Sequence, residues 1–372
     1  MGIVTELENK VVNAALCTNC GACQGLCPYW LSYEGRTVSF FGCSRDEGRC
    51  AAFCPRLPTD LRKLRDQFFD DKTFIPELGP FLGLYLTQAK DPALRKNGQH
   101  GGTTGALVEL ALREGFIDAA VLTKSAGGTE PEGILATTAG MARECQGSCF
   151  QIPPTLKTLN EALNENVYKK IGIVGTACKT AAVYKMKTAP CEEHKSDAEK
   201  IGMVFGLFCG WGLDWNGLRS LVERHTSSPR HIDILPSRFQ KMVIRDNHSE
   251  IDVGLEEIYP LVRESCTYCT DMTAEFSDVS IGGARSGDGW DVDKGWNQTI
   301  VRTKKGMELL ETAKKKGALS IKDAPKENLQ NLINASMRKK SAGVKNLIKM
   351  SGDKEDLVYL DANDPVLKAA RN

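Results

Sequence analysis

The stretch Ile171-Gly172-Ile173-Val174-Gly175-Thr176-Ala177-Cys178-Lys179 decides the fold. Its first four residues read as a short, mostly apolar strand, which opens at Gly175 and Thr176 onto a cysteine and a helix-like run over residues 179–186. The unit recurs. Residues 201–208 read as a strand opening onto Cys209-Gly210-Trp211-Gly212, with helix-like residues 216–225 behind it. Upstream, residues 103–114 carry Leu107, Leu110 and Ala111 at helical spacing and stop at Gly115, and residues 117–123 read as a buried strand. Short strands alternating with helices predict an α/β domain with a mixed, partly parallel sheet and flanking helices. Ligands gather at the carboxyl ends of such strands, and Cys178 and Cys209 both fall there.

Working outward, the N-terminal side is dense in cysteine. Cys17-x2-Cys20-x2-Cys23-x3-Cys27-Pro28 is the bacterial ferredoxin spacing, in which three thiolates on one loop reach one iron–sulfur cluster and the fourth leaves for a neighbouring one. A second run, Cys43-x6-Cys50-x3-Cys54-Pro55, keeps the final spacing but lacks the internal cysteine. Exchange of the last thiolate between runs gives Cys17, Cys20, Cys23 and Cys54 as one set. It leaves Cys27, Cys43 and Cys50 one ligand short. Asp46, a cysteine from elsewhere, or a three-iron cluster would complete that second site, and an exposed loop acid is the plainer reading of Asp46. A zinc site would normally use two separated C-x2-C pairs, so a structural zinc scaffold is the remote reading. Residues 1–75 thus form a small ferredoxin-like iron–sulfur domain, in which metal bonds replace part of a hydrophobic core.

Cys266-Thr267-Tyr268-Cys269 is a compact pair without a ferredoxin run around it. Two thiolates cannot saturate a cluster, and Cys178 and Cys209 supply the missing pair if the sheet brings them together. Read alone, those two are equally small buried hydrophobes. Cys145, Cys149 and Cys191 are expected to be ordinary buried thiols. A glycine turn, Gly101-Gly102-Thr103-Thr104-Gly105, precedes the first helix. Free backbone N–H groups there suit a phosphate, although a plain helix cap explains the turn equally well.

The chain has 372 residues, 41% of them hydrophobic, and a net charge of +1, enough for one large domain and a small one. That balance gives no reason to expect nucleic acid or anionic lipid as a partner. No apolar run is long enough to span a bilayer, and residues 1–10 lack a signal pattern, so a cytoplasmic protein is expected. Cysteines at C-x2-C spacing then favour metal thiolates over disulfides. Past residue 303 the chain reads as a lysine-rich helical tail, with Lys304, Lys305, Lys314, Lys315, Lys316, Lys339 and Lys340, and a solvated surface is expected for it.

Gly175-Thr176-Ala177-Cys178-Lys179, Gly206-Leu207-Phe208-Cys209, Cys266-Thr267-Tyr268-Cys269 and Asp278-Val279-Ser280-Ile281-Gly282 resemble, in order and spacing, segments of the family of coenzyme F420 hydrogenase and dehydrogenase beta subunits. The likeness covers roughly residues 101–303, and the N-terminal run resembles that of members with a fused ferredoxin module. It implies a flavin and 4Fe-4S domain over residues 76–303 and a helical extension over 304–372. It implies Cys178, Cys209, Cys266 and Cys269 as ligands of one 4Fe-4S cluster, for three clusters in all. It places FAD, or FMN in its stead, near His100, Gly101, Gly102, Thr103, Thr104, Ser148, Gly175, Thr176, Gly282, Gly283, Arg285 and Asp288.

Such subunits interconvert single electrons at clusters and hydride at flavin, with coenzyme F420 as exchangeable substrate and the catalytic subunit of a formate dehydrogenase or hydrogenase as partner. No side-chain acid or base is required for that transfer. Alternatives are exchange with ferredoxin, NAD or a heterodisulfide-reductase-like complex, and a wiring subunit with clusters alone. Two departures bear on the acceptor: the family's usual Gly-Thr-Pro-Cys-Gln is Gly-Thr-Ala-Cys-Lys here, and Cys149 stands where a basic or bulky residue is common.

Overall fold

The structure, a computed structural model, describes residues 2–70, 73–126, 130–189, 197–234, 240–284 and 295–371. An eight-stranded mixed sheet forms the centre. Its strands, numbered in chain order, are β1 (Gly83–Ala89), β2 (Ala119–Ala126), β3 (Glu130–Ala136), β4 (Ile171–Thr176), β5 (Ile201–Leu207), β6 (Val279–Gly283), β7 (Asn297–Val301) and β8 (Leu319–Asp323). Across the sheet they lie in the order β8-β1-β7-β6-β5-β4-β2-β3. β2, β4, β5 and β6 are parallel neighbours, while β3 pairs antiparallel with β2 on one side, and on the other β7, β1 and β8 each pair antiparallel with the strand next to them.

This arrangement collects five chain segments at one edge. The carboxyl ends of β4, β5 and β6 point the same way, and the antiparallel turn places the start of β7 and the end of β1 beside them. Asn297 pairs with Gly283 on one side and with Thr87 on the other. The strands predicted at 171–174 and 201–208, and the helices predicted at 103–114 and 216–225, appear as β4, β5, Thr103–Arg113 and Trp215–Glu223. Two apolar clusters cover the sheet. One is built around Leu107, Phe205, Val279 and Leu309, the other around Leu156, Ile173, Tyr184 and Phe276. A separate three-stranded antiparallel sheet, His231–Ile234, Lys241–Arg245 and Glu250–Gly254, packs on helix Trp215–Glu223 through Leu218, Leu221, Ile232 and Ile244.

In the lysine-rich C-terminal segment, Lys304, Lys305, Lys314, Lys315 and Lys316 are exposed as expected, but Lys339 is half-buried and Lys340 buried. Helix Lys326–Ser351 buries Leu332, Ser336, Lys340, Val344 and Leu347. Lys340 pairs with buried Glu275, and Gly343 lies against the Cys269 backbone. Lysine spacing alone predicts a solvated face because it cannot reveal a carboxylate or carbonyl waiting inside. The N-terminal segment and this extension also share one apolar cluster. Ile3, Leu7, Val11, Leu16, Trp30 and Leu57 meet Val344, Leu347, Tyr359 and Leu367 there. The Thr59 N–H donates to the Tyr359 carbonyl at 3.1 Å, and buried Arg65 pairs with buried Asp364. Among the described residues, no helix is long and apolar enough to cross a membrane.

Candidate functional site

The first cysteine run coils through left-handed backbone at Asn19 (φ 56°) and Gly21 (φ 88°), which turns successive side chains inward. Gly21 has no alternative in this position, because a β-carbon on it would stand 2.5 Å from the Pro154 carbonyl oxygen. The start of helix Thr155–Glu165 anchors the loop. The Leu156 N–H donates to the Cys20 carbonyl at 3.0 Å, and Asn160 Nδ2 donates to the carbonyls of Ala22 and Gln24 at 3.1 and 2.7 Å. Cys17, Cys20, Cys23 and Cys54, three from one loop and one from the second run, line a single hollow with Thr18, Thr37 and Arg56. Burial pushes the Cys54 thiol up to about 11 and raises those of Cys20 and Cys23 well above the ordinary range.

A second hollow opens beside it. Cys178 enters from the end of β4, Cys209 from just beyond β5, and Cys266 and Cys269 from the short helix Glu264–Thr267 and the turn after it. Thr176, Ile152, Asp271, Thr18, Arg56 and Lys339 complete the wall. Burial, chiefly, pushes Cys209 up to about 12 and raises Cys266. The Gly212 N–H donates to Cys266 Sγ at 3.2 Å, a contact that favours a thiolate. Burial works against the Lys339 ammonium, yet the negative charge that Cys269, Cys209 and Cys266 carry as thiolates holds its pKa above the usual lysine value. Lys339 Nζ donates to the carbonyls of Cys209 and Gly210 at 2.9 and 2.5 Å.

The two hollows share the walls formed by Thr18 and Arg56. Among the described residues, no three His, Cys, Asp or Glu side chains are arranged to hold a single metal ion. In each hollow the four thiols instead stand around a space, which suits a polynuclear group better than one ion. Thiols raised by burial carry protons, so a group bound there would have to displace them. Cys27 and Cys43 lie near enough to Cys50 to raise the cost of ionising it, after burial itself, and all three pack in the N-terminal apolar cluster. Asp46 is exposed.

The glycine segments meet at the same edge of the sheet. Asn297 ties them together: its Oδ1 accepts from the Thr103 N–H at 3.1 Å, and its Nδ2 donates to the Gly282 carbonyl at 3.1 Å. Gly102, left-handed at φ 73°, caps helix Thr103–Arg113. A β-carbon at Gly101 would sit 2.9 Å from Asn297 Oδ1 and 3.0 Å from the Thr87 carbonyl. Thr103 faces the sheet, with its hydroxyl on Thr87 at 2.8 Å, whereas Thr104 is half-buried. Glycine at 282 makes room for the Phe208 ring, and glycine at 283 for the His100 imidazole. Ser148 Oγ donates to Gln99 Oε1 at 2.7 Å, beside His100.

Gly175 packs against the Lys179 side chain, and Thr176 belongs to the second cysteine hollow, with its hydroxyl 3.4 Å from Cys178 Sγ. Arg285, Asp288 and Cys191 lie outside the described residues. Lys179 is buried with its Nζ on Thr155 Oγ1 at 2.7 Å, and burial depresses its pKa. Burial also raises Cys145 and Cys149 to about 11. Sequence reasoning missed Arg56, Lys339, Asp271 and Asn297. Arg56 directly follows Cys54-Pro55, and Asp271 stands two residues beyond Cys269, so proximity could have flagged both. For Lys339 and Asn297 no local signal exists.

Comparison with known proteins matches two parts of one family. Residues 84–160 match the N-terminal part of the coenzyme F420 hydrogenase/dehydrogenase beta subunit, and residues 168–327 its C-terminal part. The chain is 28% identical over 252 residues to the coenzyme F420 hydrogenase subunit beta of Methanosarcina barkeri, covering 65% of this chain and 84% of that one. It is 27% identical over 267 residues to the coenzyme F420 hydrogenase subunit beta of Methanococcus voltae, covering 70% and 92%. A chain of the F420-reducing [NiFe] hydrogenase complex from Methanosarcina barkeri superposes with a TM-score of 0.67 at 25% identity, covering 74% of this chain and 94% of that chain. With the matched sequence segments and the solved fold in agreement, the chain belongs to the family of coenzyme F420 hydrogenase/dehydrogenase beta subunits.

Proposed function

We propose that the chain is the flavin and iron–sulfur electron-transfer subunit of a cytoplasmic multisubunit oxidoreductase of the hydrogenase or formate dehydrogenase beta subunit type, acting with coenzyme F420. In this reading Cys17, Cys20, Cys23 and Cys54 hold one 4Fe-4S cluster and Cys178, Cys209, Cys266 and Cys269 another. Cys27, Cys43 and Cys50 hold a third, with a non-cysteine ligand or as a three-iron centre. FAD, with FMN as the alternative, lies at the sheet edge by His100–Thr104 and Gly282–Gly283. When bound, such clusters supply single-electron transfer and the flavin supplies hydride transfer.

The observation that carries the proposal is that thiols distant in sequence line two adjoining hollows, four to each. The protein's own contribution is positional and electrostatic. Loop cysteines are fixed by Asn160 and by the strand ends, water is excluded by the apolar clusters, and Gly212, Lys339 and Arg56 place positive charge or N–H groups toward the thiolates. His100 and Phe208 occupy the space over the two glycines, so a flavin ring stacked there requires those side chains to move aside.

Iron, acid-labile sulfide and flavin counts on protein purified anaerobically test the proposal. About eleven or twelve irons and one flavin per chain are expected, and a colourless, iron-free protein would refute it. Lys179, buried in the segment where the family usually has glutamine, favours a second reading of the acceptor: ferredoxin, NAD or a heterodisulfide-reductase-like complex in place of F420. Steady-state reduction of F420 against NAD separates the two.

A further inference from the structure

We propose that Arg56 is a positioning residue that joins the two four-cysteine sites and sets the potential of both. Its backbone belongs to the Cys54 loop of the first hollow, and its side chain reaches the Cys266 and Cys269 loop of the second. Nη2 donates to the Ser265 carbonyl at 3.0 Å and Nη1 to the Tyr268 carbonyl at 3.3 Å, so the guanidinium grips the residue immediately before each cysteine. Nη1 also contacts the Tyr359 hydroxyl, and the guanidinium lies over the Tyr359 ring, 4.8 Å from its centroid. Tyr359 Oη donates in turn to the Tyr268 carbonyl at 2.9 Å.

Arg56 is only 5% exposed. Its described partners are two carbonyls, a hydroxyl and a ring, all neutral. A guanidinium does not give up its proton in a protein, so a full positive charge is held in a dry wall with no carboxylate among its hydrogen-bond partners; Asp271, which lines the same hollow, accepts from the Thr273 and Glu275 N–H groups instead. Such an arrangement is costly unless anionic groups stand nearby. The iron–sulfur reading places thiolate-ligated, net-anionic clusters in both hollows, and each becomes more negative on reduction. One fixed cation between them therefore favours the reduced form of both. The rigid fork meanwhile holds the two ligand loops at one separation. Lys339 differs, because it lines the second hollow alone. Both residues lie outside residues 84–327, the part matched to the family, so the N-terminal and C-terminal additions each bring a cation to the central site.

The inference rests on the iron–sulfur reading, and iron and sulfide counts on the wild type decide that reading separately. The test is an EPR-monitored redox titration of the anaerobic full-length protein. Fully reduced wild type shows spin–spin coupling between the two clusters, and its absence overturns the shared junction without any variant. Arg56→Gln with wild-type iron content shifts the reduction equilibrium of both clusters about tenfold toward the oxidised form, which is about 59 mV for one electron. Lys339→Gln shifts only the central one. Arg56→Lys keeps the charge but cannot make the forked contact, so both potentials stay near wild type while the coupling changes. Unaltered potentials in Arg56→Gln, a shift confined to one cluster, or unaltered coupling in Arg56→Lys overturns the proposal. Should Arg56→Gln hold too little iron to titrate, the wild-type and Arg56→Lys coupling measurements still decide it.

Discussion

Gly343 crosses the Cys269 turn so closely that a β-carbon built on it would stand 2.6 Å from the Cys269 carbonyl oxygen and 2.9 Å from its carbon. The obstacle is backbone, which cannot swing aside as a side-chain tip can. The long C-terminal helix is thereby seated directly on the Cys266–Cys269 loop. Gly343→Ala should push the helix off that loop, costing about 1–3 kcal/mol by overpacking. Thermal denaturation of anaerobic protein would show it as a lowered Tm together with reduced iron content. A variant as stable and as iron-rich as wild type would mean that the helix has slack there.

The two thiol sets are separable by mutation. On the iron–sulfur reading, Cys266→Ala should remove the central cluster while the N-terminal EPR signals persist, and Cys54→Ala should remove the cluster of the first hollow while the central one persists. Iron analysis should show a loss of about four atoms in each variant. Loss of every signal in either variant would show that the partition into Cys17, Cys20, Cys23, Cys54 and Cys178, Cys209, Cys266, Cys269 is wrong.

Asn297 serves as a side-chain brace at the sheet edge, joining the Thr103 N–H to the Gly282 carbonyl. Asn297→Ala leaves a buried helix-end donor and a part-buried carbonyl without their partner, at a cost of about 1–2 kcal/mol. Calorimetry should record that loss. If the flavin lies by His100–Thr104, the same variant should also purify with less flavin, whereas its iron content should be unchanged.

Lys340 and Glu275 form a buried pair. Burial raises the Glu275 carboxyl pKa, and Lys340 opposes that rise. Lys340→Met strands the carboxylate and should destabilise the fold by about 3–5 kcal/mol. Replacing both residues with apolar ones should recover most of the loss in chemical denaturation. Equal instability of single and double variants would exclude charge stranding as the cause.

Cys149 is held near pKa 11 by burial, which outweighs the lowering by Lys179. Because the folded value is raised, the native thiol keeps its proton at a pH where the unfolded chain has begun to lose it. This contribution to stability is full below about pH 9 and is lost as pH rises toward 11. At pH 8 about one Cys149 in a thousand is ionised. Iodoacetamide followed by mass spectrometry should leave Cys149 unmodified at that pH, with labelling rising steeply toward pH 11. Rapid modification at pH 8 would contradict the burial.

Much of this arrangement was legible from residues alone. Apolar runs of strand length at 171–174 and 201–208, each opening onto glycine and cysteine, identify parallel strands and the edge where chemistry collects. The ferredoxin spacing forecasts which thiols share a loop, and Cys54 does join Cys17, Cys20 and Cys23 around one hollow. What local sequence could not carry is long-range charge placement. Lys339 looks solvated because nothing in the sequence around it hints at the Cys209 carbonyl. Asn297 looks like an ordinary strand residue until the antiparallel pairing sets it beside Gly101. The three-stranded sheet from His231 to Gly254 was likewise hidden, because its short strands pack on a helix rather than on the central sheet.

The apolar cluster shared by the beginning and the end of the chain has a consequence for biogenesis. Leu7, Val11 and Leu16 cannot find Val344, Leu347 and Tyr359 until the whole central sheet has been synthesised between them. The N-terminal half of this cluster therefore leaves the ribosome long before its apolar partners do, and its side chains wait uncovered while the sheet is made. Docking of the C-terminal helices then completes the cluster, so a step that joins residues very far apart in sequence comes late in folding and sets its pace.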